Sequence, residues 1–238
     1  VGRPLFERHG RGVNLTDAGE RLLPVARDVV ARLDNALTGF AVGDLSGRLR
    51  IGIPDDLGRA RLARIIANFA RVHPLVELEV ACGPSTFFPN DVAKGRFDLA
   101  VFEVETPESG QDVLFEAPTC WVGSSYRDFT ASAPLPVALF DRACWWRDAA
   151  LASLRDGGRA YRVVYSSQSV AGVLAAVVAG VGIGLLTRSS LGDGVMALDD
   201  CYGLGETPSS KLVLATGDSE ARATVNAMKA AISAAFEG

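Results

Sequence analysis

From Val170 to Leu186 the chain runs seventeen residues without a single polar side chain. As one helix, at ~1.5 Å per residue, this segment would reach roughly 26 Å, short of the ~30 Å hydrocarbon core of a bilayer. Gly172, Gly180, Gly182 and Gly184 interrupt it, three of them in alternation near its end. The reading is therefore a buried helix over Ser169–Ala179 followed by a buried strand over Ile183–Leu186, with no membrane span. Strands that are apolar on both faces belong to sheets covered by helices, which points to an α/β architecture.

The rest of the chain agrees. Strands are expected over Arg48–Pro54, Val76–Cys82, Phe97–Phe102 and Val113–Gly123. Helices over Arg59–Val72 and Thr86–Lys94 separate them. A Ser/Ala/Pro-rich crossover at Ser124–Pro136 leads to a second series. Strands there are expected over Pro136–Phe140, Arg162–Tyr165, Val195–Leu198 and Lys211–Ala215, with helices over Trp145–Arg155 and Ser219–Phe236. Two blocks of alternation predict two Rossmann-like lobes with parallel-rich sheets. Ligands of such sheets sit beyond the carboxyl ends of the strands. At 238 residues the chain fits one large or two modest domains.

Ahead of these blocks, Val1–Gly12 reads as irregular and basic. Thr16 reads as a helix N-cap with Asp17 and Glu20 in the first turn. Ala18, Leu22, Val25, Val29, Leu33, Ala36 and Phe40 draw one stripe along a long helix, of the kind that pairs with another helix. Pro24 should bend or break it. Gly43–Gly47 ends it as a linker. The stripe has no neighbouring helix in sequence to cover it, which favours a dimer seam.

Composition excludes some functions. Hydrophobic residues at 48% and charged residues at 22% rule out wholesale disorder. With 24 basic and 28 acidic side chains, the net charge of −4 opposes an overall basic surface for nucleic acid but leaves room for a small basic patch. Cys82, Cys120, Cys144 and Cys201 form no C-x-x-C pair, so they read as free thiols in a reducing cytosol. No secretory signal is present in the sequence as written, and a cytoplasmic location is expected. Neither a cofactor nor a metal is expected.

Enzyme motifs are thin. His9 and His73 are the two histidines, and neither falls where a nucleophile could use it. Gly180-x-Gly182-x-Gly184 precedes a strand, so it makes a tight turn and not a dinucleotide cradle. Candidate ligand contacts lie at three helix starts, Pro54–Leu57, Gly83–Thr86 and Ser166–Ser169, where free N–H groups and hydroxyls suit a carboxylate. Asp56, Ser85 and Ser169 could equally serve as caps of their own helices. Asp55 and Asp56 oppose an anionic ligand unless they point away or the ligand carries an amine. Phe102, Glu103 and Phe140 could line the cleft, with Arg142 as a carboxylate partner. Of Trp145 and Trp146, one reads as core and the other as a cleft or interface residue.

Four strings carry a family resemblance. Leu5–Glu20 (LFERHGRGVNLTDAGE) resembles the wing and the start of the linker helix of LysR-type transcriptional regulators. Leu49–Ile53 (LRIGI) resembles the first strand of that family's effector-binding domain. Gly95–Val101 (GRFDLAV) resembles its G-x-x-D-L-A strand, and Val177–Leu186 its V-x-A-G-x-G segment. They fall in family order across almost the whole chain.

The resemblance implies a DNA-binding regulator with the fold of type 2 periplasmic binding proteins, sensing a small organic acid between its lobes. The wing and linker would span 1–15 and 16–43, lobe I 48–123 with 211–238, and lobe II 124–210. Effector contacts are expected from Asp56, Leu57, Pro84, Ser85, Thr86, Phe102, Glu103, Phe140, Arg142, Ser166 and Ser167, and DNA contacts from Arg8, His9 and Arg11. Homodimers or homotetramers are expected. In the family a helix-turn-helix precedes the wing, so this chain alone is expected to bind DNA weakly or not at all. The alternatives are a stand-alone solute-binding protein of the same fold and, third, a small α/β enzyme.

Overall fold

Two short strands, β1 (Phe6–His9) and β2 (Gly12–Leu15), pair antiparallel from Phe6↔Leu15 to His9↔Gly12. The opening run expected as irregular is thus a hairpin. It stands in solvent with Phe6 and Val13 exposed, so the alternation that normally marks a strand is missing from it. The structure is a computed structural model describing residues 3–10, 12–26, 29–30, 45–141, 144–198, 202–219 and 221–236, with the side chains of Arg8 and His9 also outside the description.

Helix α1 begins at residue 17 and is continuous to 26, with no break at Pro24. Thr16 caps it as expected, its Oγ1 accepting from Gly19 N at 3.1 Å and donating to the Pro4 carbonyl at 2.8 Å. A side chain at Gly19 would meet the Leu5 carbonyl at 2.2 Å, so glycine lets the helix seat against the hairpin. Val25 and Val29 of the stripe are exposed. Its continuation at Leu33, Ala36 and Phe40 lies outside the described residues.

Strands β3 (Ser46–Pro54), β4 (Leu75–Gly83) and β5 (Leu99–Val104) run parallel, with β3 between the other two. Helix α2 (Arg59–Val72) follows β3. A single turn of 3-10 helix at Ser85–Phe87 leads into α3 (Phe88–Ala93), where one helix over Thr86–Lys94 was expected. Pro89 falls in the first turn of α3, where its missing N–H costs nothing. On one face of β3 and β5, Leu49, Ile51, Ile53, Leu99 and Val101 pack with Ile65 and Phe69 of α2 and with Met228 and Ile232 of α6 (Arg222–Ala234). On the other face Ala100 and Phe102 pack with Phe88 and Val92.

Strand β6 (Gln111–Ser124) has fourteen residues and spans roughly 46 Å at ~3.3 Å per residue. From Gln111 to Pro118 it pairs antiparallel with β11 (Ser209–Thr216), which also pairs with β5. From Thr119 onward it pairs with β9 (Gly184–Thr187) and β10 (Val195–Ala197). One seven-stranded sheet therefore runs through both lobes. It is mixed, because the strands that return to it arrive antiparallel, whereas the sequence suggested parallel-rich sheets. The changeover in pairing, at Pro118 and Thr119, comes five residues before the expected boundary at 123. Thr119 Oγ1 donates to the Pro208 carbonyl at 2.5 Å and Thr207 Oγ1 to the Thr119 carbonyl at 3.2 Å, tying the two crossing segments together.

Lobe II adds the parallel pair β7 (Leu135–Phe140) and β8 (Tyr161–Ser167), with α4 (Trp145–Asp156) and α5 (Val170–Val178). Its core joins Trp121 and Val122 of β6 to Leu135, Val137 and Leu139 of β7 and to Val173, Val177, Ile183 and Leu186. The polar-free segment is therefore a helix, a turn at Gly180 with φ 67° and a buried strand; the helix was expected to be buried, but it buries Val173, Ala176 and Val177 and leaves Ala171, Ala175 and Val178 in solvent, so it covers the core with one face only. Among the described residues, no helix is long and apolar enough to cross a membrane.

Candidate functional site

The parallel strands of both lobes end at one seam. Pro54 pairs with Gly83 at the end of β3 and β4, and Phe140 with Ser167 at the end of β7 and β8. Asp56, Ser85, Glu103, Phe140, Ser166 and Ser167 therefore all stand at carboxyl ends of strands, where open α/β sheets place ligands.

Glu103 joins the lobes. Its backbone carbonyl accepts from Trp145 Nε1 at 3.1 Å, and its Oε2 accepts from Trp146 Nε1 at 3.1 Å. The two indoles stack with centroids 4.6 Å apart, and Phe140 lies 5.8 Å from Trp146. Trp146 is buried in the lobe II core, and its N–H is the group that reaches out to lobe I. Glu103 is itself partly buried. Burial, and then the charge of Asp56, push its carboxyl up to about 7, against the opposing pull of the Trp146 N–H and the Ser210 hydroxyl. Ser210 approaches the same carboxylate without a hydrogen bond of good geometry, and its side chain is 1% exposed.

Asp56 does not cap α2. The N-cap is Gly58, at φ 87° with no side-chain hydrogen bond, and Asp56 lies in the turn before it. Although its side chain keeps solvent contact, the protein crowding around it raises its carboxyl above the usual range, and Asp55 adds to the effect. Leu57 packs at the edge of the lobe I core. Ser85 opens the 3-10 turn without capping it, Pro84 precedes it half-buried, and Thr86 is exposed.

Phe102 is a correction. At 1% exposure it packs with Phe88 and Val213, on the face of β5 opposite Glu103. Neighbours on a strand point to opposite faces, so Phe102 and Glu103 cannot line one cleft together.

Lobe II supplies hydroxyls. Ser169 caps α5 by accepting from Gly172 N at 3.1 Å, and Ser167 Oγ accepts from Ser169 N at 3.2 Å. Ser166 is exposed beside them. Asp141 N donates to the Ser167 carbonyl at 2.9 Å, and Gln168 Nε2 to Asp141 Oδ2 at 3.1 Å, fastening the ends of β7 and β8. A side chain at Gly172 would meet Ser167 Oγ at 2.1 Å. Sequence reasoning missed Gly172 and Ser210. Nothing in the sequence signals Ser210, but a glycine in the first turn of a helix next to serines is a legible sign of close approach.

Arg142 and Arg11 lie outside the described residues, as do the side chains of Arg8 and His9. Among the described residues, open cavities lie beside Ser219 and Arg222, of about 260 Å³, and beside Arg127 and Arg162, of about 350 Å³. Neither is lined by a residue expected to bind the effector. Cys82, Cys120 and Cys144 are free thiols, and burial pushes Cys144 up to about 11 and Cys120 upward as well. His73 is buried against Phe69, away from the seam. Among the described residues no group of His, Cys, Asp and Glu is arranged to hold a metal.

Asp98, of the GRFDLAV string, is structural. Arg50 donates to it from Nη2 at 2.9 Å, from Nε at 3.2 Å and from its backbone N at 2.8 Å, and Ser219 Oγ donates at 3.0 Å. Burial works to raise this carboxyl, but the Arg50 donors and Ser219 outweigh it and hold it below the usual range.

The LysR substrate binding domain family matches residues 43–235. The transcriptional regulator DgdR of Burkholderia cepacia is 34% identical over 80% of this chain and 65% of its own length. PecT of Dickeya dadantii, also a transcriptional regulator, is 26% identical over 98% of this chain and 73% of its own. The chain thus spans about two thirds to three quarters of these relatives.

Among solved structures, full-length OxyR from Pseudomonas aeruginosa superposes with a TM-score of 0.57 at 18% identity, over 96% of this chain and 84% of that one. The effector-binding domain of QuiR, in complex with shikimate, gives 0.62 at 13% identity, over 81% and 98%. The fold is the two-lobed α/β arrangement of type 2 periplasmic binding proteins. By its family match and its relatives, the chain belongs to the LysR family and carries that family's substrate-binding domain.

Proposed function

We propose that this chain is the sensing body of a cytoplasmic, DNA-binding transcriptional regulator that binds a small organic acid between its lobes and leaves it chemically unchanged. The observation that carries the reading is the Glu103–Trp146 hydrogen bond, which links the lobes where the strand ends converge. A molecule entering there must exchange contacts with both lobes. It therefore has different affinities for their open and closed arrangements, and only such a difference moves a conformational balance.

On this reading the effector's carboxylate takes the hydroxyl-rich start of α5 at Ser166 and Ser167, with Arg142 in support. Asp56, Leu57, Pro84, Ser85, Thr86, Glu103 and Phe140 complete the contacts. Lobe I is drawn over 48–123 and 211–238 and lobe II over 124–210. The segment 16–43 joins two copies as a dimer or a dimer of dimers. Arg8, His9 and Arg11 touch phosphates or the minor groove, each phosphate contact contributing about one unit to the salt slope.

The test is a thermal-shift screen against small carboxylic acids, aromatic acids, amino acids and amines. A ligand at a hundred times its Kd adds ~2.7 kcal/mol, well within detection. A hit recovered unchanged and weakened by Ser85→Ala or Ser167→Ala is expected. Turnover of the hit, or silence from every class, overturns the reading.

A further inference from the structure

The amino ends of β7 and β8 carry a cavity of their own. It measures about 350 Å³ and is lined by Arg127 and Arg162 together with Phe129, Ser132, Pro136 and Val181, with no acidic side chain in its wall. The register Pro136↔Arg162 sets it one residue inside the start of each strand. The seam lies at the other ends of the same strands, at Phe140 and Ser167, so the two places share no residue.

Arg127 is held in position there. Its Nη1 donates to the Gly180 carbonyl at 2.9 Å, and its guanidinium lies 4.8 Å from the centre of the Phe129 ring. A side chain at Gly180 would meet Arg127 Cδ at 3.2 Å, so glycine lets the arginine lie along the turn. The contact with Gly180 uses one donor and leaves the rest of the guanidinium for a ligand.

The charge at this pole is unbalanced. Arg159 braces the same loop from behind, its Nη2 donating to the carbonyls of Thr130 at 3.3 Å and Ser132 at 3.4 Å, while its Nε is buried without a hydrogen-bond partner. Among the described residues, Arg127, Arg159 and Arg162 take part in no ion pair. The acid next in sequence, Asp128, is turned to other partners, accepting from Thr130 N, Thr130 Oγ1 and the Tyr202 hydroxyl. In a chain of net charge −4, this is a local positive basin and not a basic surface.

From this arrangement we infer that lobe II carries a second ligand site, separate from the seam, in which Arg127 and Arg162 hold the phosphoryl group of a small metabolite. Guanidinium forks match phosphate oxygens and stay charged at every physiological pH. A phosphate monoester carries about −1.5 to −2 charges and answers both arginines, whereas one carboxylate leaves one of them unneutralised. The Ser132 hydroxyl adds a donor. Phe129, Pro136 and Val181 give an apolar wall for a short carbon skeleton. The cavity stands at the small end of the ~300–1,000 Å³ range of ligand pockets, which suits a compact molecule better than a nucleotide.

Titration of the full chain with inorganic phosphate, glycerol 3-phosphate and glycerol tests this, read by calorimetry and Tm against chloride at equal ionic strength. Glycerol 3-phosphate is expected to bind and glycerol not to. Arg127→Gln and Arg162→Gln should each weaken binding about tenfold to a hundredfold, the range for a hydrogen bond to a charged group. Arg71→Gln, an exposed arginine on α2, and Ser167→Ala, at the seam, should leave it unchanged. Arg162 stands exposed on β8, so its variant keeps the test valid if Arg127→Gln loosens the Gly180 turn.

Absence of binding by both phosphates, or equal weakening by Arg71→Gln, overturns the inference. Weakening by Ser167→Ala and not by the two arginine variants moves the ligand to the seam and also overturns it, leaving the sensor reading intact. A short DNA duplex that binds more tightly than glycerol 3-phosphate and is lost in the same variants makes this pole a backbone contact, which overturns it as well.

Discussion

Neutralising Glu103 should stabilise the ligand-free protein above neutral pH and leave it unchanged in acid. The folded carboxyl titrates at about 7 against an ordinary value of 4.5. At ~1.4 kcal/mol per pH unit, this makes the ionised form cost the fold about 3 kcal/mol, which water at the partly exposed side chain trims to about 1–2 kcal/mol.

The sign follows from proton counts. Between pH 4.5 and 7 the folded state holds the proton on Glu103 more tightly than the unfolded chain does, so stability contributed by this group falls as pH rises through that window. Glu103→Gln keeps an oxygen for the Trp146 N–H and removes the titration. Urea denaturation of the wild type and the variant at pH 5, 6, 7 and 8 measures the difference, and other titrating groups cancel between them. The curves should coincide near pH 4.5–5 and separate by about 1–2 kcal/mol at pH 8, the variant being the more stable. Equal stabilities across the range, or a variant weaker at pH 8, would refute the claim that this carboxylate is held under electrostatic strain at the seam.

Other substitutions probe the frame around it. Asp98→Ala leaves Arg50 without its carboxylate and a buried backbone N–H without an acceptor, and should cost about 3 kcal/mol in chemical denaturation. Because that carboxyl is held low, its contribution should be intact above pH 4 and be lost on acidification below it, an effect missing from Asp98→Asn. Gly172→Ala drives a methyl into Ser167 Oγ and should weaken any acid found to bind by about tenfold, with little change in Tm because the serine can turn away. Ser153→Ala removes the acceptor of Trp121 Nε1 and the donor to the Gly205 carbonyl, 2.9 and 2.6 Å away, and should lower stability by about 1–3 kcal/mol without changing ligand affinity. A loss of affinity from Ser153→Ala would mean that the lobe II core and the seam are coupled.

Much of the architecture was legible because it rests on periodicity. The α2 helix falls over Arg59–Val72 in both the reading and the structure, since its apolar spacing and the His73-Pro74 stop leave one solution. The polar-free segment resolved into helix, turn and strand at its glycines. The hairpin of Phe6–Leu15 escaped because its strands bury too little to alternate. The mixed sheet escaped because the direction in which a strand returns is set by connections across the whole chain.

In the candidate site, Phe102 could have been set aside from the sequence by strand parity with Glu103. Asp56 reads as a possible cap because it sits three residues before the helix, but Gly58, free to adopt a positive φ, takes that place.

The sequence by itself determined the class of fold, the family and the strand ends at which a ligand would sit, since these depend on local pattern and on order along the chain. Tertiary structure alone decided that Glu103 meets Trp145 and Trp146, more than forty residues away, and that Ser210 lies diagonal to it on β11. Both facts turn on the register of strands and on the angle between two lobes, set by burial of surface from distant segments, and no short window of residues records either.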